Sequence, residues 1–387
     1  MEESYIIMTL FLLVFTLWLF KRYAIPSILA WIVVGILIGP KVLAWFDYQS
    51  IYILADYGIV FLMFSLGLEF SLFKLWKMRK EVTQFGTLQA LLTFLFFFVL
   101  VLSYGASKEE SFIIASAVIL SSTAIVMSAL LEKGFILHRY GHIAISILLF
   151  QDLIVIPILI IIPFLGKDID QFLLMQEIFY ALLKGSFVFS VILIVMNHIF
   201  PIIYNEIERY HSDELFVLTT ILVACSTAFF TLYIGLSFSL GAFLSGVVLS
   251  ESQYKNKIEK KIKPFKDLLL GVFFISIGML LRINIIFDYW YLLILFLFMI
   301  MMIKFVLLFL IMFCYKEKNS DAIKTALILS HMGEFSFVVI NTAFKWQVIS
   351  SQLGNLLIAV SIISIILSTF FIKYIDKVDT VLSYFKK

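Results

Sequence analysis

The chain has 387 residues, of which 63% are apolar and only 14% are charged, and its formal net charge is +3. An ordinary soluble domain is about 45–50% apolar and about 25% charged. This composition therefore excludes a soluble globular protein and indicates a chain embedded in lipid.

Apolar runs long enough to cross a membrane recur along the whole chain. A hydrocarbon core of ~30 Å requires about 20 apolar residues in a helix. The longest polar stretch, about 251–266, is too short to bury a core of its own, so we expect no soluble domain. The sequence predicts an all-α fold of about thirteen spans: 5–20, 26–40, 51–68, 82–103, 111–131, 142–165, 176–203, 214–234, 236–250, 267–283, 289–315, 322–344 and 353–375.

The basic residues predict the orientation of these spans. The loops opposite the N-terminus, together with the C-terminal tail, hold 22 of the 29 Lys and Arg residues, and the other side holds five. Because cytoplasmic loops of membrane proteins are enriched in Lys and Arg, we expect the N-terminus outside and the C-terminus in the cytoplasm. We expect the protein in the cell inner (plasma) membrane.

An internal repeat relates the two halves of the chain. A shift of about 209 residues aligns AVILSS at 117–122 with ALILSH at 326–331 and carries the first six spans onto the last six. Seven crossings separate equivalent spans, so the halves, about 5–165 and 214–375, are inverted, and 176–203 links them. Inverted repeats are typical of secondary transporters with a midplane site. The alternative interpretation is that the two apolar hexamers, 117–122 and 326–331, match by chance.

Polar and ionisable groups inside the spans are the candidate site residues, because such groups are costly at mid-membrane. Asp152 lies halfway along the sixth span, and Gln151 precedes it. Lys304 lies near the middle of the eleventh span and could pair with Asp152. The remaining candidates lie in the fifth and twelfth spans, which are repeat mates: Ser121, Ser122 and Thr123, and Ser330, His331, Gly333 and Glu334.

Two irregular polar segments at matching positions indicate discontinuous helices that cross near the substrate. Each candidate also has a structural interpretation. The hydroxyl cluster could join helices; His331 and Glu334, three apart on one helical face, could form a pair, or Glu334 could compensate a helix dipole. Lys304 could simply neutralise Asp152 or Glu334. Only Asp152 lacks an evident structural use.

Several strings resemble the monovalent cation:proton antiporter-2 family, most closely its Kef-type potassium/proton antiporters: LSSTAIVMSAL, LLFQDLIVIPIL, GLSFSLGAFLSGVVLSES, PFKDLLLGVFFISIGM and HMGEFSFVV. The resemblance covers all spans and implies a thirteen-span inverted repeat, sodium/proton-antiporter-like, with crossing helices. It implies that Asp152 alternately takes a cation and a proton, with Gln151 beside it. Lys304 falls on the core-bundle lysine of the family.

The chain departs from its relatives in two places. We expect no C-terminal nucleotide-binding domain of the kind that many Kef-type proteins carry, and NKIEKKIK stands where glutathione-gated members are more acidic. Regulation by nucleotide or glutathione is therefore not implied. The basic loop 251–266 could contact anionic lipid or a separate regulatory subunit, or could be a solvated positive-inside loop.

The predicted function is monovalent cation:proton antiport by alternating access, electroneutral because one carboxylate is available. Replacing a carboxylate by Gln151 weakens the field at the ion, which favours K⁺, with Na⁺ as the alternative. A channel-like or sensor module is the alternative of another class. No phosphate-binding loop or catalytic set is present in the sequence, so we expect neither an enzyme nor a cofactor. We expect K⁺ or Na⁺, protons and lipid as partners, a homodimer, and no nucleic acid.

Overall fold

The computed structural model describes residues 2–23, 25, 27–46, 58–65, 67–68, 72–167, 171–210, 212–234, 238–281 and 283–379. No β-strand occurs within these ranges. The helices are α1 (Glu2–Arg22), α2 (Ser27–Ile38), α3 (Leu72–Lys77), α4 (Arg79–Ser103, with a π-helical turn at Val82–Gly86), α5 (Lys108–Ile119), α6 (Thr123–Glu132), α7 (Arg139–Leu165), α8 (Gln171–Arg209), α9 (Asp213–Tyr233), α10 (Phe238–Ser250), α11 (Lys255–Leu280), α12 (Ile283–Asp288), α13 (Trp290–Cys314), α14 (Asn319–Leu329), α15 (Glu334–Lys345) and α16 (Ser351–Lys373).

Long apolar helices dominate the described part of the chain. Seven of them, α1, α4, α7, α8, α9, α13 and α16, are long and apolar enough to cross a membrane, and α14 with α15 forms an eighth candidate bent by 40°. Shorter apolar helices occur in α2, α10 and α11. These helices lie where the sequence predicts spans, but only 58–65 and 67–68 of the span 51–68 are described. The count of thirteen stays a prediction.

The outer surface of the bundle is apolar. The helices α1, α4, α8, α9 and α13 expose large apolar side chains, among them Phe11, Leu95, Phe187, Leu222 and Phe298. A soluble protein rarely exposes contiguous apolar surface on this scale, whereas lipid solvates it well. The protein is therefore a multi-pass membrane protein.

Two pairs of helices pack with their backbones in direct contact. A Cβ on Gly35 would lie 2.1 Å from a backbone oxygen of α11, and one on Gly278 would lie 2.2 Å from a backbone oxygen of α2. The same reciprocal contact joins Gly67 to α10 and Gly246 to the helical segment 58–65, at 2.2 Å each. Small residues permit such close approach, which gives membrane helices their packing energy where the hydrophobic effect is absent.

The basic segment near 251–266 is not the loop that the sequence predicts. The helix α11 begins at Lys255 and continues through Pro264, so only a short turn precedes it. Ile258 and Ile262 are buried, and Lys257 and Lys261 form ion pairs with acidic residues at the end of α8 and the start of α9. Buried residues at helical spacing hold this segment against the bundle, which is why its charges do not unwind it.

Candidate functional site

Two interrupted helices meet in the centre of the bundle. The helix α5 ends at Ile119 and α6 begins at Thr123, while α14 ends at Leu329 and α15 begins at Glu334. A Cβ on Gly333 would lie 2.4 Å from the backbone carbon of Ser121, so the two breaks are in backbone contact. The predicted interruptions in the fifth and twelfth spans are therefore confirmed.

Hydrogen bonds join the two breaks to each other. The Ser121 hydroxyl donates to the carbonyl oxygen of Leu329 at 2.8 Å, and the backbone N–H of Ser122 donates to Nε2 of His331 at 3.1 Å. The latter bond assigns the proton of the neutral His331 ring to Nδ1, for which the described residues provide no acceptor. Unwound peptide groups at this depth need such partners because the hydrocarbon core of the bilayer offers no water to hydrogen-bond them.

Lys304 of α13 bridges both breaks. The side chain is fully buried, and its Nζ donates to the carbonyl oxygens of Ile119 (3.4 Å), Leu120 (3.1 Å) and His331 (2.6 Å) and to Oγ of Ser121 (3.0 Å). These oxygens lie at the C-terminal ends of α5 and α14, where the helix dipole is negative. The predicted pairing of Lys304 with Asp152 or Glu334 is wrong within the described residues, because backbone carbonyls hold the ammonium group.

Asp152 lies at the opposite end of the fifth-span break. Its side chain is buried in the middle of α7, and Oδ1 accepts the Thr123 hydroxyl at 3.0 Å. Thr123 is the first residue of α6, and the N-terminal end of a helix carries a partial positive charge that stabilises a carboxylate. Pro157 and Pro163 lie inside α7 without ending it. Thr123 and Asp152 therefore form a hydroxyl–carboxylate pair beside the break.

Gln151 faces the break and not the Asp152 carboxylate. Its Oε1 accepts the backbone N–H of Ser121 at 2.7 Å, and its Nε2 donates to Oε1 of Gln89 at 2.9 Å. The amide oxygen has a second lone pair, so the predicted role of Gln151 as an ion ligand beside Asp152 stays a prediction. Its place in the site is to hold the unwound backbone.

The twelfth-span break is held by residues that the sequence candidates do not include. Ser364 accepts the backbone N–H of Met332 at 3.1 Å, and the Ser336 hydroxyl donates to the carbonyl oxygen of Ala117 at 2.7 Å. Ser330 donates only to Leu327 in its own helix, at 3.1 Å. Glu334 is buried in the first turn of α15. This position is favourable for a carboxylate because the N-terminal end of a helix carries a partial positive charge.

The proposed helical face shared by His331 and Glu334 is wrong. His331 lies within the break and contacts Ser122, whereas Glu334 begins the next helix. The sequence candidates do not include Gln89, Ser336 and Ser364, because a neutral side chain that belongs to no cluster of polar residues costs lipid little and gives only a weak signal. Gln89 and Thr93, four residues apart and both fully buried in α4, are the signal that would have found the first of them.

The model of the family described as sodium/hydrogen exchanger, transmembrane, matches residues 8–375 of this chain. The chain belongs to the sodium/hydrogen exchanger family. A relative from Alkalimonas amylolytica, named "Putative K(+) efflux antiporter KefB", is 33% identical over 376 residues, which are 96% of this exchanger chain and 57% of the relative. The chain thus spans little more than half the length of that relative.

The structure of the sodium proton antiporter MjNhaP1 from Methanocaldococcus jannaschii at pH 8 matches this exchanger with a TM-score of 0.71 and 16% identity, over 97% of each chain. At this identity the match shows the fold alone. Family and fold together confirm the resemblance to Kef-type antiporters and the exchanger-like all-α architecture. The family is one of cation:proton antiporters and not of enzymes.

Proposed function

We propose that this exchanger moves K⁺ in one direction and H⁺ in the other, with both ions competing for Asp152. The observation that carries the proposal is the buried Asp152 carboxylate, paired with the Thr123 hydroxyl beside an unwound segment. A carboxylate and a hydroxyl offer oxygens to a cation, and the same carboxylate takes a proton. Either ion removes the buried charge that would otherwise oppose movement of α7 through the membrane.

The charges around the breaks support exchange of one cation for one proton. Lys304 and Glu334 are each placed at the helix end whose dipole complements the charged form of the side chain. The Asp152 carboxylate carries one negative charge, which a single K⁺ or a single H⁺ neutralises. The exchange is therefore electroneutral, and its rate does not depend steeply on membrane voltage.

Alternating access through an inverted repeat is part of the proposal. The close pairs are α2 with α11 and 58–65 with α10, which correspond to spans two and ten and to spans three and nine. The repeat of about 209 residues exchanges these two pairs. The breaks are also supported in matching ways, by Gln151 from span six and by Ser364 from span thirteen. Both observations support two inverted halves, 5–165 and 214–375, with 176–203 as the linker.

The preference for K⁺ rests on Gln151 and on the relative. A neutral amide oxygen beside Asp152 provides a weaker field than a second carboxylate would, and the Ser121 N–H occupies only one of its two lone pairs. The relative named as a K(+) efflux antiporter covers 96% of this chain and favours K⁺. The name of MjNhaP1 makes Na⁺ the second candidate.

The cellular setting follows from the distribution of charge. We propose that the protein resides in the inner membrane, with its N-terminus outside and its C-terminus in the cytoplasm; its assembly as a homodimer is proposed from the family resemblance. Lys260 and Lys263 are exposed on α11, beside lysines already paired with acidic residues. This cytoplasmic face suits anionic lipid or a regulatory subunit.

Proton movement in proteoliposomes tests the function. An imposed pH gradient is followed with an entrapped pH dye while K⁺ or Na⁺ is added, for the unchanged protein and for Asp152→Asn. Asp213→Asn, at an exposed aspartate, is the matched control. We expect K⁺ to dissipate the gradient and Asp152→Asn to abolish the effect. With equal K⁺ on both sides, a K⁺ ionophore clamps the voltage at zero and should leave the rate of dissipation of the pH gradient unchanged.

Three results would contradict the proposal in different ways. Cation-dependent proton movement that survives in Asp152→Asn would place the ion site elsewhere. Dissipation by Na⁺ and not by K⁺ would replace the cation and keep the mechanism. A rate that rises steeply with imposed voltage would mean that more than one charge crosses per cycle.

A further inference from the structure

A continuous chain of amide hydrogen bonds connects α4 to the fifth-span break. Nε2 of Gln89 donates to Oγ1 of Thr93 at 3.3 Å and to the carbonyl oxygen of Ile119 at 3.2 Å. Oε1 of Gln89 accepts Nε2 of Gln151 at 2.9 Å, and Oε1 of Gln151 accepts the backbone N–H of Ser121 at 2.7 Å. This series of hydrogen bonds begins at Thr93 in the fourth span and ends at the unwound peptide group of Ser121.

The direction of every bond in this chain is fixed by its last member. A backbone N–H only donates, so Ser121 must face the oxygen of the Gln151 amide. The NH₂ group of Gln151 must then face the oxygen of Gln89, which leaves the NH₂ group of Gln89 for Thr93 and for the carbonyl of Ile119. No other assignment satisfies all of these groups, so the two amides have one orientation.

The three side chains that form this series of hydrogen bonds are buried. The exposed fractions of Gln89 and Thr93 are 0%, and that of Gln151 is 1%. A buried amide left without a partner loses about 1–3 kcal/mol, so the three side chains are held together and resist rotation. Gln89 donates a hydrogen bond to the carbonyl oxygen of Ile119, the last residue of α5. It also accepts one from Gln151, the residue immediately before Asp152.

We propose that Gln89 is a positioning residue for the cation site. It fixes the distance between the end of α5 and the Asp152 segment of α7, and thereby the spacing of the oxygens that the cation contacts. Without it, Gln151 loses a partner, the Ser121 peptide is released, and the hydroxyl of Thr123 two residues later no longer meets Asp152 in a fixed geometry. This inference rests on the proposed role of Asp152 and names a residue that acts on it at a distance.

The test separates cation affinity from turnover. Transport is measured in proteoliposomes at a fixed alkaline pH as a function of K⁺ concentration, for Gln89→Met, Gln151→Met and the double variant. Methionine keeps the length and volume of glutamine without its hydrogen bonds. We expect Gln89→Met to raise the KM for K⁺ about tenfold, or ~1.4 kcal/mol, with the maximal rate within about threefold of the unchanged protein.

The double variant tests whether the two amides act as one unit. If they do, Gln89→Met adds little to the KM of Gln151→Met, whereas independent residues would multiply their effects. Gln84→Met is the matched control, because Gln84 lies in the same helix, is exposed, and should leave the KM unchanged. Gln89→Asn, with both amide groups on a shorter side chain, provides a second test if Gln89→Met does not accumulate; its expected rise in KM is about threefold.

Two outcomes would overturn the role of Gln89. One is an unchanged KM in both Gln89 variants while Asp152→Asn is inactive, which leaves the proposed function intact. The other is a maximal rate that falls in step with thermal stability at unchanged KM, which is the result of a merely structural residue. If Asp152→Asn is active, the proposed function itself fails, and the two failures are thereby distinguished.

Discussion

Replacing Lys304 by methionine should destabilise the protein through its backbone and not through a lost ion pair. Three carbonyl oxygens, those of Ile119, Leu120 and His331, lose the ammonium group that binds them. Ile119 keeps a second donor in Gln89, so the loss counts for two oxygens. A buried acceptor deprived of its donor costs about 1–3 kcal/mol, which gives about 2–6 kcal/mol. This is a large part of the ~5–15 kcal/mol that stabilises a typical protein.

The measurement is thermal unfolding of the purified protein in detergent, followed by tryptophan fluorescence and by the loss of monodisperse protein on size exclusion. Lys304→Gln retains a donor and should fall between the unchanged protein and Lys304→Met. Lys184→Met is the matched control, because Lys184 lies within α8 but is exposed. It should change the Tm little.

An unchanged Tm in Lys304→Met would refute the reasoning, since it would mean that the carbonyls at the two breaks need no cation. A variant that is unstable and yet regains stability when Asp152 is also changed to Asn would refute it in another way. That result would show that Lys304 stabilises the fold by neutralising Asp152 after all.

Two further predictions follow from the same structure. Gly333→Ala should abolish transport and lower the Tm, because its Cβ would lie 2.4 Å from the Ser121 backbone; Gly354→Ala, whose Cβ would have its nearest neighbour at 3.5 Å, is the tolerated control. Near the end of the described chain, hydrogen bonds from Lys324 and Ser320 lower the pKa of the Asp379 carboxyl below its usual value. A lowered pKa stabilises the fold above the unfolded-state pKa, and this is lost as the pH falls through the folded-state pKa. Asp379→Asn should therefore lower the Tm slightly at pH 7 and progressively less as the pH falls below 3.8, the usual pKa of this carboxyl. An effect that does not shrink with falling pH would contradict this origin.

The sequence was sufficient for the helical membrane architecture and for the positions of the two helix breaks. Both follow from the cost of polar groups in lipid, which makes Asp152, Lys304 and the cluster at 121–123 conspicuous in apolar surroundings. The same reasoning failed for the segment after Glu251, where charges suggested a loop. There the apolar residues Tyr254, Ile258 and Ile262 recur every four positions and are buried against the bundle, so the segment is helical from Lys255.

The hydrogen-bond partners of the site residues could not be predicted from the sequence, for a physical reason. A sequence shows side chains, so a lysine in an apolar span is naturally matched with a carboxylate in another span. The carbonyl groups that bind Lys304 belong to the backbone. They are available as acceptors only because two helices end there. For the same reason, the hydrogen bond from the unwound N–H of Ser121 to the oxygen of Gln151 could not be predicted. A helix break inside a membrane creates unpaired donors and acceptors, and the polar residues around it must satisfy those groups before any remain for an ion. By this criterion Gln89, Gln151, His331 and Lys304 satisfy backbone groups of the two breaks, and the proposed ion site, Asp152 with Thr123, lies beside them.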